Sequence, residues 1–306
     1  MLSRIAESFF WIGRYTERCE ATSRLLAEHH QLLVEDTRVS HSLGVSVLLE
    51  ALDFPEPFGP MMTPAGLVKA VIGDSETPAT IRGAAFAARE NARAIRDAIP
   101  GDLFEALNNM YLYISSPSVL TASPGVGLRI ALERLAVVAG VIDWINPRDD
   151  AHLFLRLGRA LERIDMTGRL LSMRHDLMWP ESGPTTMLHA CGGLGAFLRG
   201  GSTPTGEQVR QYLVVDRSFP RSMLRCALQA EEAVNALERD CTVAVSGDLT
   251  RTVGMMRSAL EYSAVEPNDE TVTRLANETV AKVLLASAQM NEAFFRQVGT
   301  IDWSQG

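Results

Sequence analysis

The sequence predicts an all-α protein, a duplicated helical bundle with a pseudo-twofold internal repeat. Three observations carry this expectation. Apolar residues recur at helical spacing over long stretches, capping residues and prolines fall where helices would begin, and a charged segment near the start reappears without gaps in the second half. With 306 residues, 46% of them hydrophobic, the chain is long enough to bury a sizeable core. No segment alternates apolar and polar residues for long enough to demand a strand.

From Ser3 to about Val34, the residues Ile5, Phe9, Ile12, Cys19, Leu26 and Leu33 advance by three, four or seven positions, which predicts one long first helix. Thr63-Pro64 and Thr77-Pro78 each read as an N-cap followed by proline at the first helical position, where a missing N–H costs little. Asp149 or Asp150 can cap a helix running through His175. Thr205-Gly-Glu-Gln208 has the form of a capping box, and Asn268 or Asp269 can open a last helix towards Phe294. Loops are expected at Pro55 to Pro64, Ser115 to Gly127, Pro180 to Pro184 and Gly200 to Pro204. Counting capped or periodic segments gives about ten helices.

Charge and cysteine usage narrow the functional classes. Twenty-nine basic against 37 acidic side chains leave a net charge of −8, the wrong balance for a protein that neutralises phosphates along a polyanion, so no nucleic-acid partner is expected. The most apolar stretch, Leu135 to Ile145, contains Asp143 and is too short to cross a bilayer. Arg4 and Glu7 stand where a secretory segment would be apolar. The expectation is a cytoplasmic protein with no membrane partner. Cys19, Cys191, Cys226 and Cys241 form no C-x-x-C pair, which fits reduced, buried thiols.

The internal duplication carries most of the information. Phe9 to His30 reads FFWIGRYTERCEATSRLLAEHH and Phe154 to His175 reads FLRLGRALERIDMTGRLLSMRH. Gly13, Arg14, Glu17, Arg18, Thr22, Arg24 and His30 fall on Gly158, Arg159, Glu162, Arg163, Thr167, Arg169 and His175, and Glu20 falls on Asp165. At a slightly shorter offset, Asp74-x-x-x-Pro78 matches Asp216-x-x-x-Pro220, and Ala88-Arg-Glu90 matches Ala230-Glu-Glu232. The copies have diverged at Trp11 against Arg156 and Tyr15 against Ala160. A duplicated helical unit leaves an apolar face that its copy can cover. One domain over residues 1–306 is therefore expected, with repeats of approximately 1–145 and 146–300 packed face to face.

On a helix Arg14, Glu17 and Arg18 share a side and Glu20 and Arg24 lean around towards Glu17, an arrangement that Arg159, Glu162, Arg163, Asp165 and Arg169 reproduce. One reading makes these residues ion pairs that set the register of two equivalent helices. The other makes them the lining of a cleft in which arginine forks bind a carboxylate or phosphate, as in an acidic peptide or a phosphorylated ligand. Glu17 or Glu162 would serve as general acid or base only if burial raised its pKa, against the pull of the adjacent arginines. A carboxylate-bridged metal site that also draws on Glu90 and Glu232 lacks the usual Glu-x-x-His elements, so no metal and no cofactor is expected. The remaining features read as structural: His30 and His175 as packing or capping groups, Gly192 to Gly201 as a glycine-interrupted helix without a phosphate-loop signature, Cys19 as a buried thiol, and Phe10-Trp11 as core.

The opening MLSRIAESFFWIGRYTERCEATSRLL, the second G-R-x-x-E-R at Gly158 to Arg163, and the strings Ala87-Ala-Arg-Glu-Asn-Ala-Arg93 and Phe219-Pro-Arg-Ser222 resemble the bacterial alpha-E family across essentially the whole chain. The resemblance implies an all-helical fold. It also implies association with circularly permuted ATP-grasp ligases and transglutaminase-like proteins, and hence a part in making or modifying a small peptide or amide-linked product. The expected function is that of a helical accessory protein for an ATP-grasp-type ligase that holds an anionic ligand between the duplicated motifs. The alternatives are an enzyme of amino-acyl or peptide-bond transfer with Glu17 and Glu162 as acid and base, and a non-catalytic assembly scaffold.

Overall fold

The periodic stretch at the start of the sequence forms a single helix, α1 (Ser3–Glu35). Phe9, Ile12, Cys19, Leu26 and Leu33 of its apolar series are buried and Ile5 is half-buried. Burial also takes in Gly13, Arg14, Thr16 and Glu17, because neighbours cover α1 on more than one side. A computed structural model of the chain describes residues 3–35, 41–54, 63–73, 75–121, 123–173, 175–240, 247–263 and 269–295.

After α1 come α2 (His41–Ala51), α3 (Pro64–Ile72), α4 (Ile81–Ala94), α5 (Gly101–Ser115), α6 (Ser118–Thr121) and α7 (Pro124–Trp144). The second half contains α8 (Asp150–Ser172), α9 (His175–Met178), α10 (Gly183–Ala190), α11 (Leu194–Arg199), α12 (Gly206–Val215), α13 (Met223–Asp240), α14 (Gly247–Tyr262) and α15 (Asp269–Met290), and a π-helical turn at Asn291–Phe295 follows. The fold is all-α, with no strand among the described residues.

Several helix starts lie where capping chemistry puts them. Thr63 accepts a hydrogen bond from the Gly66 amide with Pro64 at the first helical position, Asp149 accepts from His152, and Thr205 accepts from Gln208. Other boundaries differ from expectation. Thr77-Pro78 forms a turn, and α4 starts three residues later because Thr80 takes the cap, accepting from the Gly83 amide while its hydroxyl donates to the Thr77 carbonyl. The expected loop at Ser115 to Gly127 contains α6 and the start of α7, and α10 begins inside the expected loop at Pro180 to Pro184. The helical segments outnumber the ten expected, since pieces as short as α6 and α9 carry no periodicity to read. Most of the expected loop at Pro55 to Pro64, together with Asp74, Cys241 and Asn268, lies outside the described residues.

α1 packs lengthwise on α8, and the helices around them repeat one pattern. α1 touches α4 and α7, α4 touches α5, and α5 touches α7; in the second half α8 touches α13 and α15, α13 touches α14, and α14 touches α15. On α7, Leu128, Ala131, Leu135, Val138 and Ile142 form the buried stripe. Beyond Ser172 the two copies part: α1 runs on without a break, whereas α8 ends and α9 starts anew at His175. The histidine that meets His175 is therefore His29, with ring centroids 5.9 Å apart and Trp179 against both; His30 is half-exposed.

Two glycines fix how closely α1 and α8 approach. A Cβ on Gly13 would stand 2.3 Å from the Leu155 carbonyl oxygen, and one on Gly158 would stand 2.2 Å from the Phe10 carbonyl oxygen. Both obstacles are backbone, which cannot turn aside as a side chain can, so the residue type follows from the crossing distance. Gly13→Ala and Gly158→Ala are each expected to lower stability by roughly 2–4 kcal/mol in urea denaturation. Gly140→Ala on α7, where an added Cβ meets nothing within 4 Å, is expected to be neutral or to gain about 0.5–1 kcal/mol.

Candidate functional site

At the glycine crossing the duplicated charges pair between the helices. Glu17 of α1 accepts from Arg159 Nε at 2.9 Å and Arg163 Nη2 at 2.7 Å on α8. Glu162 of α8 accepts from Arg18 Nε at 2.5 Å through Oε1 and from Nη2 at 3.2 Å through Oε2, and Arg14 Nε lies 2.5 Å from Oε2 as well. The second acid of each motif has a partner on its own helix: Glu20 accepts from Arg24, and Asp165 accepts from Arg169 at 3.1 Å. All ten charged residues singled out from the repeat thus belong to two clusters at one helix crossing.

The clusters are not alike. Around Glu162, Arg14 is only 4% exposed and its Nη1 donates to Ser287 Oγ on α15 at 3.1 Å, while Arg169 donates to the Ala51 carbonyl at 3.2 Å and Arg18 stays 22% exposed. Around Glu17 a further arginine arrives. Arg221, in the turn before α13, lies 3.3 Å from Glu17 Oε2 and 2.8 Å from Glu20 Oε2. Sequence reasoning assigned Arg221 no role, although its string was noted. The available signal was its place in the shorter-offset repeat, where the first half has Ala79.

Arg221 completes one side of a cleft of about 210 Å³ between α1, α7 and α8. Glu17, Glu20, Arg24, Arg159, Arg163 and Arg221 form the charged side, and Leu132, Leu135, Ala136, Val138, Ala139 and Ile142 of α7 form the apolar side. The apolar run on α7, read from sequence only as too short for a membrane, is thus a wall of the site. Four guanidinium groups face two carboxylates here, and Arg163 Nε is shut from solvent without a hydrogen-bond partner. Gly192, at a φ of 65° that favours glycine, brings the turn before α11 against the Arg24 guanidinium.

Both central acids are held ionised. Burial alone would push the Glu17 carboxyl up, but Arg163, Arg221 and Arg159 overcome it and hold it far below the usual carboxylate range. Burial likewise opposes, and Arg14 and Arg18 prevail, at Glu162, which is also lowered. A carboxylate with so low a proton affinity is a poor general base, and it has no proton to donate near neutral pH. The thiols are equally unsuited to nucleophilic work: burial raises Cys19 strongly, Cys191 to about 12 and Cys226 to about 11. Among the described residues no group of three or more His, Cys, Asp or Glu is placed to hold a metal, and no helix is long and apolar enough to cross a membrane.

A family model described as a predicted alpha-helical domain with a conserved ER motif, Alpha-E, matches residues 1–295. The chain belongs to the Alpha-E family. Glu17-Arg18 and Glu162-Arg163 are Glu-Arg pairs that meet at the α1/α8 crossing, so in this Alpha-E chain such pairs lie at the centre of the fold. No curated protein and no solved structure matches the chain.

The shifts fix the sign of the pH dependence. Glu17 and Glu162 titrate below their ordinary 4.5 in the fold, so their contribution is complete above about that pH and is lost as pH falls towards the folded values. His29 and His175, pushed by burial from 6.5 down to about 4 and about 3, stay neutral in the fold while the unfolded chain takes up protons. Stability should therefore begin to fall below pH 6.5, by up to about 1.4 kcal/mol per pH unit for each histidine. Denaturant unfolding from pH 7 to 5 should show this slope, and His175→Phe should make it shallower; an unchanged slope would remove His175 as a source.

Proposed function

We propose that the chain is a helical accessory protein that works with an ATP-grasp-type peptide or amide ligase, with a transglutaminase-like protein as a further partner, and that it holds an anionic ligand in the α1/α7/α8 cleft. The observation that carries this reading is the excess of guanidinium groups in that cleft, in a chain whose net charge is −8. Arginine forks suit carboxylate or phosphate, and the cationic side faces an apolar wall, the combination that orients a small ligand. The ionised, arginine-bound state of Glu17 and Glu162 favours holding a ligand over acid/base catalysis by those residues.

The same proposal takes residues 1–306 as one domain with two halves in approximate twofold relation. Its support is the reciprocity of the crossing, Gly13 against Leu155 and Gly158 against Phe10, Glu17 with Arg159 and Arg163, Glu162 with Arg14 and Arg18. A cytoplasmic setting belongs to the proposal as well, supported by three buried free thiols. Co-expression with a circularly permuted ATP-grasp ligase from the same genome, followed by size exclusion at micromolar concentration, is expected to give one co-eluting species. Independent elution of the two proteins would contradict a stable accessory complex.

A further inference from the structure

The two copies of the charged motif differ in the charge and apolar surface beside them. Arg221 stands where the first half has Ala79, the same spacing that separates Pro78 from Pro220. Ser287 accepts from Arg14, whereas the residue as far before Ser287 as Gly13 is before Gly158 is Ile142, an apolar side chain that lines the cleft beside Arg159. The hollow beside the other copy, about 150 Å³, is lined by Arg18, Thr22, Leu52, Asp53, Ala79, Asp165, Met166 and Arg169, so its two cations are balanced by two carboxylates. The cleft beside Glu17 is lined by four arginines and two carboxylates, with Asp143 3.8 Å from Arg159 beyond the lining.

From this we infer that duplication has left one ligand site, in the α1/α7/α8 cleft, and that it takes a monoanionic carboxylate borne on a small apolar body, such as the C-terminal residue of a peptide or an N-acylated amino acid. The inference rests on the reading of that cleft as an anion site and deepens it. The arginines supply planar N–H forks for the carboxylate, and Leu132, Leu135, Ala136 and Ile142 receive the apolar part. Glu17 and Glu20 line the same space and repel a dianion more than a monoanion. A volume of about 210 Å³, below the roughly 300–1,000 Å³ of drug-sized pockets, limits the ligand to about one residue.

The test is isothermal titration of the full chain with N-acetyl-L-leucine, N-acetyl-L-leucinamide and inorganic phosphate. The carboxylate should bind saturably with one-to-one stoichiometry and the amide should not. Arg221→Ala, which makes the site resemble the other copy, should weaken binding at least tenfold. Ala139→Leu, which fills the cleft without altering charge, should abolish binding, and Ala79→Leu, which fills the other hollow, should leave it within twofold. Binding lost in Ala79→Leu but kept in Ala139→Leu would overturn the assignment of the site while leaving an anion-binding role intact. Phosphate binding without N-acetyl-L-leucine binding would overturn the carboxylate class alone. Binding of neither would overturn both this inference and the anion-site reading on which it rests.

Discussion

Glu162 is completely shut from water, and an ionised carboxylate in such a place is costly unless guanidinium groups meet it. Arg14 and Arg18 do so from the facing helix, and Arg159 and Arg163 do the same for Glu17. These contacts require α1 and α8 to lie close, which Gly13 and Gly158 allow. Each helix therefore supplies both halves of the constraint, a glycine to approach and charges to match, and a shift in register would leave a buried charge without its partner. Packing of apolar helices alone tolerates many arrangements; matched buried charges tolerate few. The bundles on either side, α4, α5 and α7 on α1 and α13, α14 and α15 on α8, are built outwards from this crossing.

Because the constraint is met twice, the protein can relax it on one side. The cluster around Glu162 is joined by Ser287 and the Ala51 carbonyl. The cluster around Glu17 includes Arg221 and faces apolar side chains of α7 across the cleft. Arg221 is met there by both Glu17 and Glu20, so a third cation joins the cluster without being left uncompensated.

The all-α class was legible because α1 and α8 are long and periodic, and the charged positions were legible because the repeat displays them twice. The partners were harder to read. On one helix Glu17 lies near Arg14 and Arg18, and only the crossing shows that it takes Arg159 and Arg163 instead. Arg221 was hidden because it reaches the site from a turn more than two hundred residues from Glu17. Thr77-Pro78 misled because Thr80, three residues on, is an equally good cap and has the Gly83 amide within reach. His30 matched His175 by alignment, but the break after Ser172 takes the second copy out of register and brings His29 to the contact.

The claim that interhelical charge pairing organises the fold is tested most directly by a double-mutant cycle on Arg14 and Glu162, comparing Arg14→Met, Glu162→Gln and the double variant in urea denaturation. Each single change leaves a buried group short of one counter-charge and should cost about 3–5 kcal/mol. The double variant should cost less than the sum by at least about 1.5 kcal/mol. Additivity within about 0.5 kcal/mol would contradict the account, because it would mean that the two groups contribute to stability independently of one another.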